Sequence, residues 1–144
     1  MWLGGCPTTL STMIRSSDDL EAQLGRLERR YERTPDGTFI LSLGPGLPPA
    51  ALLLVPPVLV VQVAIGPAPA DLTAAAPIYK KLLELNASAL LHAAFGLEND
   101  QIVLAAALEL DSLDLNELEA VLADIDVALG EHVPALRSMV QSAS

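Results

Sequence analysis

The sequence predicts an α+β domain in which one antiparallel sheet is packed with helices, in the order α-β-β-β-α-β-β-α. Three observations carry that expectation. Residues 37–70, 34 in succession, hold no ionisable side chain but seven prolines, and Pro48-Pro49 and Pro56-Pro57 cut the stretch into short apolar runs. A membrane-spanning helix needs about 20 continuous apolar residues and does not accommodate so many prolines, so buried strands are the better reading. Leucines at helical spacing stand on both sides of this stretch. Finally, 144 residues, 51% of them hydrophobic, suit one domain, and such a chain buries roughly 70% of its unfolded surface without disulfide or metal. The predicted layout is an N-terminal tail, 1–16, and a single domain, 17–140.

Taken in order, Ser17-Asp18-Asp19-Leu20-Glu21 places capping and acidic residues where free backbone N–H groups open a helix. Leu20, Leu24, Leu27 and Tyr31 form its apolar stripe, with Arg26, Arg29, Arg30 and Arg33 mostly off it. Thr34-Pro35-Asp36-Gly37 carries turn chemistry and is expected to end that helix. Phe39, Leu41 and Leu43 then alternate as a strand, Gly44 to Pro49 is a loop, and Ala50–Val55 and Val58–Ile65 are two more strands split by Pro56-Pro57. The three form an antiparallel meander. The second and third are apolar on both faces, so helices should cover one face and another surface should meet the other. Asp71 caps a helix carrying Leu72, Ala75, Tyr79, Leu82, Leu83 and both lysines, Lys80 and Lys81. His92–Leu97 and Gln101–Leu110 read as a hairpin around Glu98-Asn99-Asp100. Asp114, with Glu117 three residues on, opens a last helix with Leu118, Val121, Leu122, Ile125 and Leu129 on one side.

Charge narrows the function. The chain carries 18 acidic against 8 basic residues, a formal charge of −10, and residues 34–136 hold 13 acids against Lys80 and Lys81 alone. Phosphate contacts are made chiefly by Lys and Arg, so direct nucleic-acid binding is not expected. A basic partner protein fits better. Met1 to Ile14 has no basic start and no continuous apolar run, which argues against a secretion signal. Leu3-Gly4-Gly5-Cys6 looks like a lipoprotein cleavage box, but too few residues precede the cysteine for the apolar segment such a box requires. The expected location is cytoplasmic, off the membrane.

The succession Leu82-Leu83-Glu84-Leu85-Asn86-Ala87, Ala94-Phe95-Gly96-Leu97-Glu98-Asn99-Asp100, Leu108-Glu109-Leu110 and Leu113-Asp114-Leu115-Asn116-Glu117-Leu118 resembles the YbjN family. That family is similar in fold to the class I chaperones of bacterial type III secretion. The likeness runs over residues 70–130, while the first helix and meander agree only in order and length. It implies a bacterial domain that dimerises and binds other proteins, with no catalytic residues or cofactor to carry over. Family chaperones take an extended partner segment across helix and sheet surfaces. YbjN-like proteins also occur without such a secretion system, which points to a chaperone-like, adaptor or regulatory role, a stress response being one setting.

Candidate residues follow. Homodimerisation is expected through the second helix and last strand, with Leu83, Ile102, Leu104, Ala106 and Leu108 at the interface. Glu117, Glu119, Asp124 and Asp126 would line the exposed side of the last helix, either as a solvated face or as a dock for a basic segment, for instance of a nucleic-acid-handling protein. Arg26 and Arg30 are candidates to take an acidic segment. A competing reading is acyl-carrier-like: Asp111-Ser112-Leu113-Asp114 looks like a phosphopantetheine attachment box, with modification at Ser112. Against it, a strand precedes Ser112, and Asp111 and Ser112 suit a turn. Cys6, His92 and His132 lack metal-site spacing, and no G-x-S-x-G occurs. Gly44-Pro45-Gly46 lacks the lysine and following helix of a phosphate loop. A small enzyme is the remaining alternative; the expectation is a non-enzyme without cofactor or metal.

Overall fold

A computed structural model describes residues 12–143. In it the chain runs α1 (Ser17–Arg26), β1 (Tyr31–Arg33), β2 (Phe39–Leu41), β3 (Ala50–Val55), β4 (Val58–Pro67), α2 (Leu72–Ser88), β5 (Ala94–Glu98), β6 (Gln101–Glu109), α3 (Leu115–Glu131) and α4 (Val133–Ala143), with a 3-10 turn at Leu110–Ser112 before α3. The predicted α+β class holds, with one strand and one helix more than expected.

The extra strand comes from the first helix, which is shorter than its leucine spacing predicts. Ser16 caps it by accepting from the Asp19 N–H at 3.1 Å, and the Asp19 carboxylate accepts from the Arg15 N–H at 3.0 Å, a reciprocal cap. Leu20 and Leu24 are buried, but the helix stops at Arg26 and Glu28 turns left-handed at φ 58°. Tyr31 therefore belongs to β1. Thr34-Pro35-Asp36-Gly37 closes the β1–β2 hairpin: the Thr34 N–H donates to the Thr38 carbonyl at 2.8 Å and the Gly37 N–H, at φ 89°, to that of Thr34 at 2.9 Å. A turn tetrapeptide reads alike after a helix or a strand, and three strand residues are too few to display alternation.

The extra helix arises at the other end. The periodic run from Leu115 to Leu129 is one helix, capped by Asp114, which accepts from the Glu117 N–H at 2.9 Å as predicted. His132 is its C-cap, and Val133 starts α4. Pro134 lacks the N–H that a continuous helix would bond back to Gly130, so the chain breaks there. The domain also begins earlier than Ser17. Ile14 is fully buried, its N–H donates to the Leu113 carbonyl at 2.9 Å, and the Leu115 N–H donates to that of Thr12 at 2.9 Å. The rest of the predicted tail, with Cys6, lies outside the described residues.

All six strands form one antiparallel sheet in the order β1-β2-β3-β4-β6-β5. The α2 helix, capped by Asp71 as expected, carries the chain from β4 to the far edge. There β5 turns back through Asn99 and Asp100, both at positive φ (53° and 62°), so that β6 fills the gap. Alternation then sorts side chains between two faces. Phe39, Leu41, Ala50, Leu52, Leu59, Val61, Val63, Phe95, Leu104 and Ala106 are buried on the face where the helices supply Leu20, Leu24, Ile78, Leu82, Leu118, Val121, Leu122, Ile125 and Leu136. Residues of the other parity, Ile40, Ala51, Leu53, Val58, Val60, Gln62, Ala64, Ala105 and Ala107, are half-buried or exposed. The core is thus a two-layer sandwich of sheet and helices, and among the described residues the second sheet face lacks a helical cover.

Candidate partner-binding surfaces

Three surfaces were expected to matter, and the fold treats them differently. At the expected dimer surface, the four β6 candidates point into the core. Ile102, Leu104 and Ala106 are 1%, 0% and 7% exposed, and Leu108 is half-buried. They have no surface to offer a second chain, because β6 is an interior strand between β4 and β5. Its alternate residues sit beneath the helices. Leu83 is different: it projects from α2 at 69% exposure, on the same outer stripe as Leu72 and beside the true edge strand β5, whose Leu97 is half exposed. Tyr79, Leu82, Leu83, Asn86, Phe95, Gly96 and Leu97 surround a shallow depression of about 180 Å³. The last strand was expected at the interface, and nothing local shows that β6 inserts between β4 and β5.

The outer edge of β5 is partly masked. Asn86 of α2 accepts from the Phe95 N–H at 2.7 Å and donates its own amide to the Phe95 carbonyl at 3.0 Å, standing where a neighbouring strand's peptide would stand. Two polar groups at a sheet edge are thereby satisfied by one side chain.

On α3, the acids expected to face solvent as a dock are split. Asp124 turns toward the turn before β5, and one of its oxygens accepts from the backbone N–H groups of Leu91, His92 and Ala93 at 3.2, 2.8 and 3.0 Å. Burial acts to raise this carboxyl's pKa, but the three hydrogen bonds, with His92 nearby, outweigh it and hold the group below the ordinary aspartate range. Asp126 pairs with Arg29 at 2.7 Å. Two of the four candidates therefore serve the fold, and Glu117 and Glu119 remain exposed. The arginines expected on one helix face disperse as well. Arg26 bonds Gln23 at 3.3 Å, Arg33 lies over the Phe39 ring at 5.2 Å and meets Glu21 at 3.2 Å, and Arg30 is exposed beside β1.

The uncovered sheet face holds a depression of about 490 Å³ lined by Ile40, Pro48, Pro49, Ala51, Leu53, Gln62, Ala64 and Glu98. Its polar feature is a 3.3 Å hydrogen bond from the Gln62 amide to the Glu98 carboxylate. Ser112, the alternative modification site, is exposed in the 3-10 turn that follows β6, in an α+β domain and not in the helical bundle of a carrier protein. His92 precedes β5 and His132 caps α3. Among the described residues no helix is long and apolar enough to cross a membrane.

A mixed fold of six antiparallel strands and four helices is that of the class I type III secretion chaperones. The family CesT_Tir_1, a type III secretion chaperone family, matches residues 13–142, and the chain belongs to it. Solved structures agree at the level of fold. A chain of the heterodimeric ExoU–SpcU complex from the type III secretion system of Pseudomonas aeruginosa superposes with a TM-score of 0.64 at 18% identity, covering 85% of this chain and 98% of that one. YbjN from E. coli gives 0.61 at 16% identity, over 83% and 92% of the two chains. The Yersinia pestis chaperone SycH, solved with a fragment of YscM2, gives 0.53 at 19% identity, over 78% and 98%. The match to YbjN supports the resemblance read from residues 70–130. No curated protein sequence matches the chain.

Proposed function

We propose that this protein is a non-catalytic, chaperone-like adaptor that works as a homodimer and binds a partner protein in the bacterial cytoplasm, with a stress response as one setting. Family membership supports the partner-binding part, as do solved relatives such as the HopA1–SchA chaperone–effector complex, similar in fold at a TM-score of 0.57. The observation that carries the dimer is the pair of exposed leucines on neighbouring elements, Leu83 on α2 and Leu97 on β5, around an apolar depression. Large aliphatic side chains grouped at a sheet edge lose contact with water when a second copy covers them. Isologous packing would bring each Leu83 near its symmetry mate.

Light scattering at micromolar concentration tests this. The expected result is a dimer that Leu83→Glu converts to a folded monomer, since Leu83 contributes little to the core. A monodisperse wild-type monomer would refute the dimer. Affinity purification from the native cells, with mass spectrometry, tests the partner.

A further inference from the structure

We propose that the cavity between α4 and the end of β4 is a binding site for a small aliphatic carboxylate. Its hydrocarbon chain would lie among Ile65, Ile102, Leu136 and Val140, with its carboxylate on Arg137. The site shares no lining residue with the depression at Leu83 and Leu97.

A bulge in β4 opens the space. Ala64 pairs with Val103 and Gly66 with Ile102, so Ile65 is an extra residue in the ladder, and a strand bends where it takes one. Gly66 adds no side chain to the wall, and a Cβ there would meet nothing within 4 Å. Pro67 then ends the strand. Across the gap, α4 brings Leu136 and Val140 one turn apart, each followed by a polar residue, Arg137 and Gln141. The result is a cavity of about 200 Å³ with these residues in its wall. Ile65, Ile102 and Leu136 are buried, and Val140 is half-buried. An aliphatic cavity of ~150 Å³ holds a six-carbon ring, so this one has room for a chain of about six to eight carbons.

Charge selects the head group. Arg137 is the only lysine or arginine after Lys81 in a chain of formal charge −10. It is exposed, and among the described residues it has no carboxylate partner, the ion pairs there being those of Arg29 and Arg33. The other apolar depressions differ. The one at Leu83 and Leu97 has no charged residue in its wall, and the one at Leu53 has Glu98. The α4 cavity instead combines an aliphatic interior with a cation and no acid. A guanidinium takes a carboxylate through two parallel N–H···O bonds and repels an ammonium, so a fatty-acid-like anion fits and the matching amine does not.

The full chain, labelled with ¹³C at its Ile, Leu and Val methyls, would be titrated with octanoate and with octylamine and followed by NMR. Octanoate should give saturable shifts centred on Ile65, Ile102, Leu136 and Val140. Octylamine should move those methyls at least about tenfold more weakly, the gap narrowing as salt rises. Arg137→Glu changes an exposed position and should weaken octanoate at least about tenfold, reversing the preference. Val140→Trp should fill the cavity and abolish binding, with the methyls of Leu20 and Leu118 in the distant core reporting that the fold persists. Octanoate shifts that do not saturate, that centre on Leu83 and Leu97, or that octylamine reproduces at equal affinity would overturn the proposal. So would an Arg137→Glu variant that binds octanoate like the wild type, whatever the fate of Val140→Trp.

Discussion

Val60 and Val61 are neighbours on β4 with the same side chain, yet they belong to different regions of the molecule. Val61 lies between Leu52 and Ala106 in the ladder and is fully buried under the helices, whereas Val60, between Leu53 and Ala107, lies half-buried on the face that no helix among the described residues covers. The uncharged run at residues 37–70 therefore serves two purposes. One parity of side chains makes the core, and the other makes an apolar surface that no helix among the described residues covers. Absence of charge along a strand shows that both faces avoid isolated charge; it does not show that both are interior.

Lysine scanning would test that contrast most severely. Val61→Lys should destabilise the fold by about 3–5 kcal/mol, because an unpaired ammonium would be buried among aliphatic side chains. Val60→Lys should cost less than about 1 kcal/mol, since its ammonium can reach water along a long stem. Urea unfolding of the two variants measures the gap. Similar losses would mean that something within the chain covers the second face.

A smaller difference lies in the polar ties. The covered face is tied to its helices by Asp124 and Asn86, while the open face has Gln62 with Glu98. Asp124→Ala should cost about 2–3 kcal/mol at neutral pH, as three backbone N–H groups lose a charged acceptor. Because the folded carboxyl titrates below its ordinary value of 3.8, its contribution is complete above that value and fades as pH falls through the folded pKa. The wild type and the variant should therefore converge in stability in strong acid. Asn86→Ala should cost about 1–2 kcal/mol and speed hydrogen exchange at the Phe95 amide, which the side chain now protects. Gln62→Ala, on the open face, should change stability by less than about 0.5 kcal/mol. A Gln62 effect as large as that of Asp124 would erase the distinction between the faces.

Much of the fold was legible from local chemistry. Asp71 and Asp114 mark helix starts that the structure reproduces, Pro56-Pro57 separates the two central strands, and Asn99-Asp100 makes the two-residue turn of the last hairpin. The misses have local causes too. Tyr31 continued a leucine stripe by spacing although the helix had already ended at Arg26, and the break at His132 followed from Pro134, which the helical period alone did not weigh. The binding surfaces were less legible. Leu83 could be picked from its place on α2, but Ile102, Leu104 and Ala106 could not be distinguished from surface residues without knowing that β6 inserts beside β4.

The sequence by itself determined what most segments are: capped helices and apolar strands parted by proline and glycine in an acidic chain. Those choices are made by backbone sterics, missing N–H groups and side-chain period, all of which act within a few residues. Only the tertiary structure decided which strand became the edge, which carboxylates turned inward, and which side of the sheet was left uncovered. Each of those depends on groups far apart in the chain, as with Asp124 and the turn some 31–33 residues before it, and pairings over that range are fixed by packing, which spacing along the chain does not encode.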